Sequence, residues 1–370
     1  MRIVLSGGGT AGHINPALAL ADELQQRGHE VFYAGTPCGI EKRLAQEAGL
    51  PFQEFEAQGF DRSNPKSLIP ALSKMSKSTK QARAWFKELK PDAVVAFGGY
   101  VCIPVGRAAM SGNIPLIVHE QNSVMGLANK YLSKHAQAVA LTYDNAAESV
   151  AKKDKVITVG NPVRSSVLKA TKAEGRAKFE MDENALCLLV FGGSLGAQHL
   201  NTACVQLKDT LLSYENLEII HITGPKEFDR VTNLLNLTEQ EAKRWHLISY
   251  DDDMGRTLAA ADIVVSRAGA TSLAEITARK IPALLVPYPY ATGDHQTANA
   301  HSCVEAGSAF LVADADVEKD IFKKRLCEII ENDELRKDMQ EAAKGFGTES
   351  ASRRLADVVC AVVEHKQSLK

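Results

Sequence analysis

His13 is the residue best suited by type and place to move a proton, because an imidazole changes charge near neutral pH and can accept hydrogen from an attacking hydroxyl. It closes the run Ser6-Gly7-Gly8-Gly9-Thr10-Ala11-Gly12-His13. Glycines at positions 7, 9 and 12 let backbone N–H groups approach an anion at the start of a helix. The same spacing is the dinucleotide fingerprint, but a hydride-transfer enzyme also needs a carboxylate closing the next strand to hold a ribose. That strand, Val31-Phe32-Tyr33, runs into Ala34-Gly35 instead. The loop points to a ligand in a crevice rather than to NAD. His13 is either a base or a residue that merely hydrogen-bonds the turn.

Other candidates lie further along the chain. Gly192-Gly193-Ser194-Leu195-Gly196 is a second glycine turn after an apolar run. In Arg267-Ala268-Gly269-Ala270-Thr271-Ser272-Leu273-Ala274-Glu275, the pair Ser272 and Glu275 has capping-box spacing. Glu275 is thus either a cap or a carboxylate that accepts both hydroxyls of a ribose. Asp251-Asp252-Asp253 has the composition of a divalent-metal site, yet it directly precedes the helical stretch Met254 to Ala261, where carboxylates suit the helix dipole. No second acidic cluster stands nearby, and no metal is expected. Residues 62–90 carry Arg62, Lys66, Lys74, Lys77, Lys80, Arg83, Lys87 and Lys90 against the single acid Glu88. Leu68, Ile69, Leu72, Met75, Trp85 and Phe86 are interleaved. This is either a solvated helical face or a patch whose basic side chains meet anionic lipid while its apolar ones dip between headgroups.

The elements that must position these residues repeat one rhythm, a short apolar run, then small or polar residues, then an amphipathic stretch. Ile3-Val4-Leu5, Val31-Phe32-Tyr33, Ala93 to Phe97, Ile114 to Val118 and Val156 to Val159 read as strands. Asn15 and Pro16 are the predicted cap and first turn of the first helix, and Gly28 its end. The rhythm restarts with the continuous apolar run Leu186 to Phe191, as a strand buried on both faces requires. Ile219 to Thr223, Ile263 to Val265 and Ala283 to Val286 follow. The expectation is an α/β chain with two doubly wound parallel sheets, hinged near Gly160-Asn161-Pro162. A last amphipathic helix, about 350–365, has Leu355, Val358, Val359, Val362 and Val363 on one face. It either caps the second domain or crosses back to the first.

A length of 370 residues exceeds one comfortable core, which agrees with two domains. Hydrophobic residues at 45% and charged ones at 24% exclude wholesale disorder. A net charge of -2 gives no reason to expect nucleic acid. Seven cysteines spread singly, with no C-x-x-C pair, argue against a zinc knuckle and a disulfide framework. No apolar run has spanning length, and Met1 to Leu5 is too short for a signal peptide, so a cytosolic chain is expected.

Taken together, the motifs resemble glycosyltransferase family 28, the MurG-type transferases of the GT-B fold. The resemblance is carried by Gly8-Gly9-Thr10-Ala11-Gly12-His13-x-x-Pro16-Ala17, Phe97-Gly98-Gly99-Tyr100, His119-Glu120-Gln121-Asn122 and Gly160-Asn161-Pro162-Val163-Arg164. Gly192-Gly193-Ser194-x-Gly196-Ala197, Arg267-x-Gly269-Ala270 with Glu275, and Asp294-x-Gln296-x-x-Asn299-Ala300 complete it. One departure is Ala11, where the family usually has glycine; alanine suits the turn unless the position needs a positive φ.

The resemblance implies two Rossmann-like domains facing a cleft, residues 1–162 with a returning helix at about 346–370, and residues 163–345. It implies an inverting, metal-independent transfer of GlcNAc from UDP-GlcNAc to the C4 hydroxyl of lipid-linked MurNAc-pentapeptide, with no cofactor. His13 is the implied base and Glu120 the reserve. Arg164 and Ser194 would hold phosphate, the backbone at Asp251 uracil, and Ala270, Thr271, Ser272, Leu273 and Ala274 the diphosphate and nucleoside. Glu275 would take the ribose, and Gln296 and Asn299 the sugar hydroxyls. Thr10, Ala11, Gly12 and Asn122 would close over the donor, with Gly9 and Tyr100 on the acceptor side. A lipid acceptor implies docking on the cytoplasmic face of the cell membrane, through the stretch 62–90. The competing readings are another GT-B enzyme, such as a lipid glycosyltransferase or a UDP-GlcNAc 2-epimerase, and a nucleotide-sugar-binding regulator.

Overall fold

The computed structural model describes residues 1–57, 68–193 and 196–368. The chain forms two compact units, Met1–Arg164 with Glu349–Lys370, and Ser165–Thr348.

The first unit is built on one parallel sheet of β1 (Arg2–Ser6), β2 (Glu30–Gly35), β3 (Phe52–Glu54), β4 (Ala93–Ala96), β5 (Leu116–Glu120), β6 (Ala138–Leu141) and β7 (Val156–Thr158). Their order is β3-β2-β1-β4-β5-β6-β7. The direction of winding reverses between β1 and β4, where open α/β sheets place their ligands beyond the strand ends. The central strands are buried on both faces, which is why they read as unbroken apolar runs. Helices α1 (Ala11–Gln26), α2 (Ile40–Glu47), α3 (Leu68–Leu89), α4 (Cys102–Ser111) and α5 (Leu127–Ser133) connect them. The C-terminal helix Ala351–Ser368 buries Leu355, Val359 and Val363 with Leu20 and Leu24 of α1, on one side of this sheet. Phe86, Val101, Val105 and Leu132 fill the other side.

The second unit repeats the plan with β8 (Leu186–Phe191), β9 (Leu217–Ile222), β10 (Trp245–Ile248), β11 (Ile263–Ser266), β12 (Ala283–Leu285) and β13 (Ala309–Leu311), ordered β10-β9-β8-β11-β12-β13. Its switch point lies between β8 and β11. Two doubly wound parallel sheets are therefore present, as the alternating pattern predicts.

Three local expectations need correction. First, α1 starts at Ala11 with Thr10 in the cap position, not at Pro16. Pro16 sits inside the second turn, and His13 consequently stands in the first turn of the helix. The end at Gly28 agrees: its φ is +79°, and His29 N–H donates to the Leu24 carbonyl at 3.0 Å. Second, Ser272 is not a cap, because the helix Ala270–Ala278 begins earlier, on Gly269. Third, Trp85 and Phe86 of α3 face the core rather than a surface, packing at 5.3 Å from each other, with Trp85 at 5.8 Å from Phe55.

Two histidines are sealed in the cores as neutral rings. His119, at the end of β5, donates from Nε2 to the Gly160 carbonyl (3.0 Å) and accepts at Nδ1 from Gln121 Nε2 (3.0 Å). Burial pushes its pKa from 6.5 down to about 4. His221 of β9 bonds Asn201 Oδ1 at 3.0 Å and is likewise pushed down by burial, to about 3. A ring that refuses a proton in the folded chain but takes one when unfolded lowers stability as pH falls. Stability is therefore expected to drop between pH 6.5 and 4, by about 1.4 kcal/mol per pH unit for each histidine. Urea midpoints measured across that range check this, and His221→Asn should make the slope shallower.

Candidate functional site

The carboxyl ends of β1 and β4 bring the first glycine loop against Gly98 and Gly99. Gly8 N–H donates to the Gly98 carbonyl at 3.2 Å. Both Gly98 and Gly99 have positive φ, +111° and +84°. A Cβ at Gly99 would lie 2.4 Å from the Gly8 oxygen, and one at Gly98 2.9 Å from Cδ2 of His13. Glycine is required at both positions, on conformation and on space.

His13 is held by this arrangement. Its Nδ1 lies 2.9 Å from the Gly8 carbonyl oxygen, with Thr10 Oγ1 at 3.5 Å. A carbonyl only accepts, so Nδ1 carries the hydrogen, and in the neutral ring Nε2 carries the lone pair. Nε2 has no hydrogen-bond partner among the described residues. A base needs just that: an oriented ring with its unprotonated nitrogen unoccupied. Ala11 is the first helical residue and has no positive φ, so its departure from glycine costs the turn nothing. Gly9 does take a positive φ, +88°, and the Tyr100 side chain is about half exposed beside the loop's partner glycines.

Glu120, expected as the reserve base, is engaged elsewhere. Its Oε1 accepts from Asn122 N (3.1 Å) and Nδ2 (3.2 Å), and its Oε2 from Gly126 N (3.0 Å) and Asn129 Nδ2 (2.9 Å). Four N–H donors use the acceptor capacity of a carboxylate. The residue is buried, and it ties the loop that carries Asn122 to the end of β5. Asn129 was not legible as part of the site; nothing in its spacing separates it from an ordinary helix residue.

In the second unit the ends of β8 and β11 bear Gly192 and Gly193, and Arg267 to Gly269. Ser194 lies outside the described residues. Gln296 uses its carbonyl oxygen to accept from Ala268 N (3.1 Å) and Tyr288 N (2.9 Å), which turns its amide nitrogen away from both. Asn299 is fully buried and donates to the Ala268 carbonyl at 3.3 Å. It holds the loop from within rather than presenting an amide at the surface. Glu275 stands in the second turn of its helix, 6% exposed. Thr271 and Ser272 are half-buried at the start of that helix, while Ala270, Leu273 and Ala274 are buried. Arg164 is half-buried at the end of the first unit.

The aspartate triplet has structural work. Asp253 caps the helix Met254–Ala260 by accepting from Arg256 N, and Asp251 pairs with Lys178 at 2.6 Å. Among the described residues, no cluster of histidine, cysteine, aspartate or glutamate could hold a metal ion. A cluster that spacing did not disclose ties the loop after β11 to two other elements: Asp314 binds His199 Nδ1 at 2.7 Å and pairs with Arg267, whose guanidinium lies 5.7 Å from the Tyr288 ring centre.

Residues 3–141 match the glycosyltransferase family 28 N-terminal domain, and residues 187–355 match its C-terminal domain. The chain belongs to glycosyltransferase family 28. It is 40% identical over 357 residues to the UDP-N-acetylglucosamine--N-acetylmuramyl-(pentapeptide) pyrophosphoryl-undecaprenol N-acetylglucosamine transferase of Leuconostoc mesenteroides, covering 96% of this chain and 97% of that one. The enzyme of the same name from Halothermothrix orenii is 37% identical over 364 residues, covering 97% and 98%. Among solved structures, Acinetobacter baumannii MurG is 30% identical with a TM-score of 0.71, covering 97% of this chain and 99% of that one.

The role of Glu120 as a loop anchor has a measurable consequence. Glu120→Gln turns an amide NH2 toward two of its four donors and should cost about 2–3 kcal/mol of stability. Urea unfolding checks it; an unchanged midpoint would mean that the four bonds hold nothing.

Proposed function

We infer that this family 28 chain transfers GlcNAc from UDP-GlcNAc to lipid-linked MurNAc-pentapeptide, converting lipid I to lipid II in peptidoglycan synthesis. Similarity over nearly the full length to transferases of that name supports the substrates. The observation that supports the chemistry is His13, whose Nδ1 is committed to the Gly8 carbonyl and whose Nε2 is left to accept a proton.

The reaction is a single inverting displacement. The C4 hydroxyl of MurNAc attacks C1 of GlcNAc from the face opposite UDP. The new C1–O4 bond forms as the C1–O bond to the diphosphate breaks, and the hydroxyl proton passes to His13 Nε2. UDP leaves carrying the electron pair of the broken bond. Its growing charge is met by backbone N–H groups of Gly192, Gly193 and Ala197, by the N-terminus of the helix Ala270–Ala278 and by Arg164. Such donors need no metal. Glu275 accepts the ribose hydroxyls, the backbone at Asp251 contacts uracil, and the amide nitrogen of Gln296 donates to a sugar hydroxyl, with Asn299 supporting its loop. Thr10, Ala11, Gly12 and Asn122 border the donor, and Gly9 and Tyr100 serve the acceptor.

No helix among the described residues is long and apolar enough to cross a membrane. We propose peripheral docking on the cytoplasmic face through α3. Lys74, Lys77 and Lys80 are exposed there beside Leu72, which is 52% exposed. Arg62 and Lys66 fall outside the described residues.

Incubation with UDP-GlcNAc and a short-chain lipid I analogue, with and without EDTA, should give the disaccharide in both cases. His13→Ala should lower turnover by about 10²–10⁴-fold, the usual worth of a positioned base, and leave UDP-GlcNAc binding intact. Undiminished turnover would remove His13 from the mechanism. Charge reversal at Lys74, Lys77 and Lys80 should weaken binding to anionic vesicles while sparing turnover of a soluble acceptor analogue; equal vesicle binding would remove α3 from the docking surface.

A further inference from the structure

Glu41 is a fully buried acid for which the transfer chemistry has so far supplied no use. It is the second residue of α2, and its side chain folds back over the start of that helix. Oε1 accepts from Thr36 N at 3.1 Å and from the Thr36 hydroxyl. Oε2 has no partner among the described residues. The carboxylate is pressed against bare backbone: a Cβ at Gly39 would lie 1.9 Å from Oε2, one at Gly35 2.7 Å from Cγ, and one at Gly8 2.7 Å from Oε1. It therefore wedges the loop after β2 against the loop after β1, at the glycine whose carbonyl holds His13.

Packing alone gives no reason for such a residue. An ionisable group stripped of water, with one oxygen unpaired, costs stability that an apolar side chain of similar volume would not. Its place beside Gly8 supplies a reason. When His13 takes a proton the ring becomes a cation, and a carboxylate behind the Gly8 peptide favours that form while keeping the peptide in place.

We propose that Glu41 is a positioning residue for the proton transfer: it fixes the Gly7–Gly8 turn and, through the Gly8 carbonyl, holds His13 and supports the imidazolium as it forms. The proposal rests on the reading of His13 as the base. The other titratable groups around the loop are Tyr33 of β2, whose hydroxyl donates to the Gly7 carbonyl at 3.0 Å, Cys102 of α4, whose thiol lies 2.9 Å from the Gly98 carbonyl, the half-exposed Tyr100, and Glu120, reached through Asn129. Burial pushes Cys102 up to about 11 and Tyr33 well above its ordinary range, so both stay neutral at working pH. Among the described residues of this unit, that leaves Glu41 and Glu120 as the acids beside this loop.

The test is the pH dependence of turnover by the full chain, with UDP-GlcNAc and the soluble lipid I analogue, for wild type, Glu41→Gln and His13→Ala. The base must be neutral to act, so the acidic limb of kcat/KM follows His13. Removing a negative charge favours the neutral ring, so Glu41→Gln should move that limb about half a pH unit lower. The same variant should lower kcat about tenfold while KM for UDP-GlcNAc changes less than twofold. An unmoved limb with wild-type kcat overturns the proposal, and a purely structural role predicts lost stability without a moved limb. If Glu41→Gln does not fold, Thr36→Ala replaces it: one donor fewer leaves the carboxylate's charge less compensated, and the limb should move upward by about 0.2–0.3 unit. An unmoved limb there also overturns the proposal. The two readings fail separately. Turnover surviving in His13→Ala sinks the base assignment itself, whereas loss in His13→Ala with wild-type behaviour in Glu41→Gln sinks the Glu41 inference alone.

Discussion

One hydrogen bond organises the glycine loop of the first unit, that from His13 Nδ1 to the Gly8 carbonyl at 2.9 Å. It decides which ring nitrogen holds the lone pair, and so whether the imidazole can act as a base at all. Much of the local backbone exists to make that bond possible. Gly8 must come within 3.2 Å of the Gly98 carbonyl, which requires β1 and β4 to be neighbours and the chain after β4 to run through two left-handed glycines. The start of α1 at Ala11 then puts His13 in the first turn, over the loop it closes.

The second unit meets the same topological demand with different means. At its switch point the Arg267–Gly269 loop is secured by side-chain amides rather than by glycine against glycine. Gln296 takes the Ala268 N–H, and Asn299 takes the Ala268 carbonyl. Side chains used this way fix the loop backbone and turn the amide nitrogen of Gln296 away from the Ala268 and Tyr288 N–H groups. The difference suits the division of labour in the proposed function, where the first unit orients a base and the second holds an anionic donor. In both, the rigid part is backbone at the ends of buried strands, where burial removes the alternatives to hydrogen bonding within the protein.

The two-sheet plan was readable from sequence because buried parallel strands are unbroken apolar runs, and Leu186 to Phe191 or Ala93 to Phe97 cannot easily be anything else. Short edge and alanine-rich strands such as Phe52–Glu54 and Ala138–Leu141 escaped, since neither is long or β-branched enough to stand out. His13 and the first glycine loop were readable as candidates, and the structure brings them together with Gly98 and Gly99. The anchoring work of Glu120 was not readable, because its four donors come from residues two to nine positions away, in the loop after β5 and the start of α5, with no periodicity to mark them. Glu41 was missed for a related reason. The acid sought at the end of β2 is absent there, but one returns from the first turn of α2, six residues past the strand, and no pattern in the letters says that it folds back onto Gly8. Trp85 and Phe86 were misplaced because charge count was read without helical phase, and the phase turns them inward.

The most direct measurement is the ¹⁵N spectrum of the His13 ring in the full chain with isotopically labelled histidine, taken at alkaline pH. The account predicts a protonated Nδ1 and a bare Nε2, with the Nε2 resonance alone moving strongly as pH falls. A ring found with its hydrogen on Nε2 would contradict it, because that nitrogen could then take no proton from the acceptor.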